Sequence, residues 1–433
     1  MHPILFRIPT FGWNLPFLGP TANLPIYSYG VMLGLSFVVG WYLTLELAAR
    51  DGLPIDEMTT CYVVTAIAAV AGSRLLYVVT NLDDFKTIAD VFSLRRGGFV
   101  AYGGFIGGFA GSWGYLKRKG IPLLPWADVA VPSLATGLFI TRIGCYLFGC
   151  DFGKPLSASA PALLQKLGTF PHWPVGLADK GTGSPAWAHH YERHLVPATS
   201  SYSLPVHPTQ LYESAAGLAL FGLVLLTRKH QKFRGEVFLV FTFAYGFVRY
   251  LLEILRDDAE RGEYGPQMAE HLLVPGVLLI ASVAYIARMA RVFERLEARL
   301  LTQALVLLPP VVLFFVLRPA SFAGNQTVRL STSQWVAALT ATGAAAAFAV
   351  FWEIAKAHPA RALAIDLPEE LRAVADEEPA QDSENAAEDS PSSGVKEAAP
   401  KPLAARRKRK KDKGKKPAEA LREDDSATDE EPV

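Results

Sequence analysis

Nine apolar runs of roughly 20 residues constrain this chain more than any other feature. They fall at 25–47, 58–80, 98–116, 123–147, 209–227, 236–255, 271–289, 301–317 and 334–352. Runs of that length cross the hydrocarbon of a bilayer when helical, and helices satisfy every backbone N–H and C=O group there. The expected fold class is therefore all-α, a polytopic membrane helix bundle. The eighth run carries Pro309-Pro310, which admits a kinked or partly re-entrant course. Charged residues make up only 19% of the chain, and they gather between the runs instead of interleaving as in a soluble domain.

Those charges set the topology. Lys117-Arg118-Lys119, the segment from Arg228 to Arg234, and Arg288, Arg291, Arg295 and Arg299 occupy alternate connections. Lys and Arg in short loops mark the cytoplasmic side, so the amino terminus is expected outside and, after nine spans, the carboxyl terminus inside. Lys86, Arg95 and Arg96 oppose this assignment but are outnumbered. Residues 1–24 lack the basic start and small-residue cleavage site of a signal peptide and read as mature sequence. From residue 360 to 433 the chain is rich in Ala, Glu, Asp, Ser, Pro and Lys with almost no aromatics, which predicts a disordered charged cytoplasmic tail. Its run Arg406-Arg407-Lys408-Arg409-Lys410-Lys411 suits anionic lipid at the inner leaflet, and no nucleic-acid partner is expected of a membrane-tethered tail.

With orientation set, the costly polar residues inside the spans, apart from Glu46, Glu353 and a few helix-end charges, are expected on the outer side. Tyr29 opens the first span, Arg74 and Tyr77 close the second, Tyr102 opens the third and Arg142 closes the fourth. His207, Gln210 and Tyr212 stand at the start of the fifth; Tyr245, Arg249 and Glu253 occupy the outer half of the sixth. An intramembrane arginine costs at least ~2.5 kcal/mol and needs a partner or a function. A transporter would place polar groups at several depths or show matching internal repeats. An outer-side cluster points instead to a lipid headgroup.

Tyr245, Arg249, Glu253 and Arg256 recur at helical spacing on one face. Two readings stay open here: Arg142 and Arg249 clamp a phosphate from two helices with their planar forks of donors, or each simply pairs with a neighbouring carboxylate. Gly144, Gly149 and Gly153 follow Arg142, and Gly103 and Gly104 lie in a glycine-rich stretch from 97 to 108. Such residues serve tight helix packing or a groove for lipid. Three cysteines, Cys61, Cys145 and Cys150, form no metal-ligand pattern and no disulfide framework; the last two could pair if both face an oxidising compartment, but the expected state is two small buried thiols.

Taken in order, Tyr29-Gly30, Gly72-x-Arg74, Tyr102-Gly103-Gly104, Arg142-Ile143-Gly144, His207-Pro208-x-Gln210-Leu211-Tyr212-Glu213 and Tyr245-x3-Arg249-x3-Glu253 resemble the bacterial prolipoprotein diacylglyceryl transferase family over about residues 1–290. The resemblance implies a seven-span domain at 1–290 in the cytoplasmic (inner) membrane. It also implies transfer of diacylglyceryl from phosphatidylglycerol to the lipobox cysteine of a prolipoprotein, with release of glycerol phosphate. It carries Arg142, Arg249, His207, Tyr29, Tyr245 and Glu253 over as catalytic positions. Arg74, Tyr102, Gly103, Gly104, Gly144, Cys145, Gly149, Gly153, Gln210 and Tyr212 become substrate-binding ones. No metal or organic cofactor is implied. Segment 151–206 would form an outer head over the site. The chain departs from the family where Cys145 replaces a frequent Asn, Cys150 a frequent Glu, and Tyr102 a His found in some members. The pair of spans in 291–359 and the tail at 360–433 lie outside the resemblance. A member that binds phospholipid or peptide without transferring is the alternative.

Overall fold

The computed structural model describes residues 3–9, 23–85, 98–173, 183–257, 262–289, 292, 295–317 and 327–372. Each expected span is a helix: α1 Ser28–Arg50, α2 Ile55–Thr80, α3 Ala101–Lys119 and α4 Leu123–Phe148 come first. Two short helices of the head, α5 Ala162–Leu167 and α6 Pro185–Glu192, precede α7 Thr209–Lys229 and α8 Glu236–Glu253. After them come α9 Glu270–Met289, α10 Leu296–Val316, α11 Thr332–Ala357 and a final turn, α12 Pro359–Ala362.

Seven of these, α1, α2, α4, α7, α9, α10 and α11, are long and apolar enough to cross a membrane. Helices α3 and α8 fall short for physical reasons. Six glycines dilute the hydropathy of α3, and α8 carries Glu236, Arg249 and Glu253 within 18 residues. The eighth span is helical throughout: α10 runs unbroken for 21 residues with Pro309 and Pro310 inside it.

Packing follows small residues. Helices α2 and α3 meet glycine to glycine: a Cβ on Gly103 would lie 2.2 Å from Gly72 O, and one on Gly72 would lie 2.3 Å from Gly103 O. Without a hydrophobic drive between helices in lipid, such close backbone contact is what holds them together. Helix α1 packs on α4, α4 on α7, α7 on α8, and α8 on α11. Two small antiparallel sheets lie at one end of the bundle. Strands β1 Ile4–Pro9 and β2 Asn23–Tyr27 pair ahead of α1, and β3 Glu263–Ala269 pairs with β4 Thr327–Ser331, tying the start of α9 to the start of α11.

At the other end, Asp51 after α1 accepts from Arg228 Nη2 and Arg234 Nη1, both at 2.6 Å. Fully buried Asp128 accepts from Gly235 N at 2.6 Å and Phe238 N at 3.0 Å, fixing the turn between α7 and α8. The predicted disordered tail needs correction at its start. Arg234 N donates to Ala362 O at 2.8 Å, and Leu367 is buried among Leu47, Leu53, Met58, Leu116 and Ile121. Leu367, with Ile365 and Leu371 packed against the same cluster, anchors a segment whose average composition is polar. The remainder of the tail, with its basic run at 406–411, and Lys86, Arg95, Arg96 and Arg291 lie outside the described residues.

Adding a methyl group at Gly103 forces α2 and α3 apart, because the obstacle is backbone. Gly103→Ala should lower stability by about 1–3 kcal/mol, whereas Gly34→Ala, whose Cβ meets nothing within 4 Å, should be neutral. Thermal unfolding of the two variants in detergent checks the contrast.

Candidate functional site: a chain of arginines and carboxylates

Glu213 lies on the second turn of α7, 3% exposed, and its carboxylate joins three helices. Oε2 meets Arg142 Nε of α4 at 2.5 Å, and Oε1 meets Arg249 Nη1 of α8 at 2.5 Å. From Arg249 the contacts continue through Nη2 to Glu253 Oε2 at 2.8 Å. From Arg142 they continue through Nη1 to Asp151 Oδ2 at 2.7 Å, and Asp151 Oδ1 meets Arg256 Nη2 at 2.5 Å. Charges thus alternate along one line: Glu253, Arg249, Glu213, Arg142, Asp151, Arg256. Three guanidiniums and three carboxylates balance, which is what burial at this depth demands.

Local sequence explains how the line is held. Gly149 ends α4 in the left-handed region at φ 86°, and Asp151 follows at φ 56°, which turns its carboxylate back on Arg142. The backbone there is gripped by the start of α7. Gln210 Nε2 donates to Cys150 O and Thr209 Oγ1 to Asp151 O, both at 2.5 Å. Burial alone would push the Asp151 carboxyl up, but Arg142 and Arg256 hold it down at about 2, so it stays ionised.

Of the expected catalytic residues, Arg142, Arg249 and Glu253 come together in this line. Tyr245 stacks on Phe241 one turn below Arg249, within the field of Arg249, Glu213 and Arg142. Tyr29 sits where α1 crosses α4, its Cα 3.3 Å from a Cβ built on Gly144. His207 stands apart from the guanidiniums: Nδ1 faces Tyr212 Oη at 3.4 Å, and its backbone pairs with Gly153 N and Lys154 O. Burial and then Lys154 lower its pKa from the ordinary 6.5.

The expected substrate-binding residues divide. Tyr102 Oη donates to Ser333 Oγ at 3.0 Å, and Cys145 Sγ lies 3.9 Å from Arg142 Nη1. Arg74 is held elsewhere, donating to Gly98 O at 3.0 Å and lying over the Tyr77 and Phe85 rings. Gly103 and Gly104 face α2, with a Cβ on Gly104 meeting Ser73 Oγ at 2.7 Å, so they pack helices. Gly149 and Gly153 shape the turn after α4, and Gln210 holds that turn; Tyr212 backs His207. Cys145 and Cys150 are free thiols. Their sulfurs and an Asp151 oxygen lie within 4.8 Å, as metal ligands would, but both oxygens of that carboxylate are taken by Arg142 and Arg256, whose charges oppose a cation.

Glu213, Asp151 and Ser333 were not foreseen as site residues. Glu213 had a signal, since two arginines entering the membrane on different helices require buried carboxylates, and it closes the His207–Glu213 motif. Asp151 follows Cys150 at the same helix end. Nothing in the pattern marks Ser333.

Fold and site together define a multi-pass membrane protein with a charge-balanced arginine centre near one end of its bundle. Its sequence matches the family described as prolipoprotein diacylglyceryl transferase over residues 16–287, and the chain belongs to that family. It is 30% identical over 259 residues to the phosphatidylglycerol–prolipoprotein diacylglyceryl transferase of Clostridium tetani, covering 60% of this chain and 86% of that one. The second such transferase of Clostridium perfringens is 30% identical over 272 residues, 60% of this chain and 93% of its own length. The one from Bacillus anthracis is 25% identical over 272 residues, 63% of this chain and 90% of its own.

Glu213→Gln keeps the shape but removes the charge between Arg142 and Arg249. Leaving buried charge unpaired should cost about 3 kcal/mol or more, seen as a lowered thermal midpoint in detergent. A midpoint equal to that of the unaltered protein would mean that water, not Glu213, compensates the arginines.

Proposed function

We propose that this chain transfers the diacylglyceryl group of phosphatidylglycerol to the thiol of a prolipoprotein lipobox cysteine. The observation that carries the reading is the pair Arg142 and Arg249, set on separate helices by one Glu213 carboxylate with donors to spare. Among the described residues, Arg142 is engaged through Nη1 and Nε, which leaves Nη2, and Arg249 through both terminal nitrogens, which leaves Nε. Those N–H groups are available to the phosphate oxygens of a headgroup, and the carboxylates keep the guanidinium planes fixed while it binds.

The reaction needs no enzyme nucleophile. The substrate thiolate attacks the glycerol carbon that bears the phosphate ester, the S–C bond forms, and the C–O bond breaks with its electron pair leaving on glycerol phosphate. Negative charge grows on the departing phosphate oxygens, and fixed guanidiniums in a water-poor site stabilise it. Tyr29, Tyr245 and Glu253 line or brace that centre. His207 is neutral at pH 7 and is the acceptor assigned to the thiol proton, directly or through water. In this reading the protein lies in the cytoplasmic membrane with its amino terminus and the arginine centre outside. The Asp51 and Asp128 clusters, with Lys117, Arg118 and Lys119, then face the cytoplasm, as the positive-inside rule asks.

Two measurements bear on this, both with protein in vesicles of phosphatidylglycerol and a lipobox-cysteine peptide scored for thioether product. Arg142→Lys and Arg249→Lys keep the charge and lose the planar fork, so each should reduce kcat/KM at least tenfold, about 1.4 kcal/mol. Near-normal turnover in both removes the clamp, and no product from the unaltered protein leaves a lipid- or peptide-binding member instead. The pH profile tests His207. Its neutral form takes the proton, so kcat/KM should fall on the acid side below 6.5, the ordinary histidine value, and His207→Asn should lose both rate and that limb. An unchanged acid limb in His207→Asn assigns the proton elsewhere.

A further inference from the structure

The family match stops at residue 287, and α10 and α11 lie beyond it. Helix α11 nevertheless reaches the arginine centre. Ser333, on its first turn, accepts from Arg249 Nη2 at 3.2 Å and from Tyr102 Oη at 3.0 Å. We infer that Ser333 completes the headgroup site: it fixes the Arg249 guanidinium against Tyr102 and offers its own O–H to a phosphate oxygen of the lipid.

Hydroxyl chemistry gives the first support. A serine oxygen has two acceptor positions and one donor proton. Arg249 and Tyr102 fill the acceptor positions, and the proton has no acceptor among the described residues. A donor left beside a guanidinium with a spare Nε suits an anionic oxygen and not a cation. The amino end of a 26-residue helix adds partial positive charge at the same place.

The placement is also built, and not a chance approach of a loop. Ser331 and Gln334 form a reciprocal cap around Ser333, with Gln334 N donating to Ser331 Oγ at 3.2 Å and Ser331 N to Gln334 Oε1 at 3.0 Å. Pairing of β4 with β3 fixes the approach, Ser331 opposite Glu263, and Trp335 Nε1 donates to Tyr264 O at 3.2 Å. One turn further along, a Cβ on Gly246 would lie 2.8 Å from Ala337 O, so α8 and α11 touch backbone to backbone beside the site. The division of the chain at 291 sets this helix apart from the chemistry; the contacts of Ser333 join it to the site.

This inference rests on the phosphatidylglycerol reading, and its test separates the two. Full-length Ser333→Ala and Ser333→Thr are compared in vesicles with graded phosphatidylglycerol and, separately, graded lipobox peptide. Ser333→Ala should raise KM for phosphatidylglycerol at least fivefold, leave KM for the peptide and the thermal midpoint unchanged, and Ser333→Thr should restore most of the loss. Ser333→Cys, isosteric with a weaker donor, carries the same test if the Ala variant does not fold. A phosphatidylglycerol KM within twofold of the unaltered protein, or equal damage in Ala and Thr variants, overturns the inference. If the unaltered protein transfers nothing, the functional reading falls, and Ser333 is then judged on binding of fluorescent phosphatidylglycerol in micelles with glycerol phosphate as competitor. Weaker lipid binding in Ser333→Ala with recovery in Ser333→Thr upholds it. Equal binding overturns it, and direct binding of glycerol phosphate by calorimetry, without binding of the lipid, assigns the site to a free phosphate and overturns the lipid inference.

Discussion

The arginine centre depends on the double contact of Glu213. A buried guanidinium loses its hydration, and only a carboxylate at contact distance with good geometry offsets that loss. One carboxylate here lies at contact distance of two guanidiniums, as an ion pair with Arg142 and as a hydrogen-bonded ion pair with Arg249, and it links α4, α7 and α8. Neither arginine could shift along its helix by one residue without losing Glu213, so the register of three spans is fixed by one side chain. Hydrophobic matching to lipid could not do this, since apolar faces slide at little penalty.

The same line of charges explains why the site is organised before any ligand arrives. Asp151 and Glu253 occupy the two flanks, which stops the guanidiniums from turning toward each other's partner. Positions left over on the arginines are then few and directional. Preorganised donors of this kind act on developing charge without having to reorient during reaction. An arginine pair without its carboxylates would carry more charge but would be held less firmly, and it would be harder to bury.

Much of the fold was legible because membrane helices announce themselves. Span after span has no polar alternative to helix, and every predicted run is one. The cluster of Arg142, Arg249 and Glu253 was legible for a related reason: ionised groups inside a span are rare enough that several at one depth must meet. The division among glycines was not. Gly103 and Gly149 read alike in sequence, but one packs against a helix and the other ends one, and only the partner backbone distinguishes them. Arg74 has the composition of a ligand-binding arginine; three aromatic rings and the Gly98 carbonyl claim it. The first residues after 359 follow the same pattern, with Leu367 outweighing its polar neighbours because it finds an apolar cluster to enter.

Ser333 was beyond the reach of pattern altogether, and the reason is geometric. A serine side chain is among the shortest that can hydrogen-bond, so it meets a guanidinium on another helix only when the two backbones are close. Helix α11 allows that with a stripe of alanines, Ala337, Ala341, Ala344, Ala345 and Ala349, buried on the face that continues from Ser333. Gly246 on α8 answers Ala337 and Ala341. With leucines along that stripe the helices would stand further apart, and the hydroxyl would fall short of Arg249 however well its cap were formed. The alanine content of α11 therefore bears on the arginine centre more than on stability: it sets the separation at which a short polar side chain from outside the matched region can touch it.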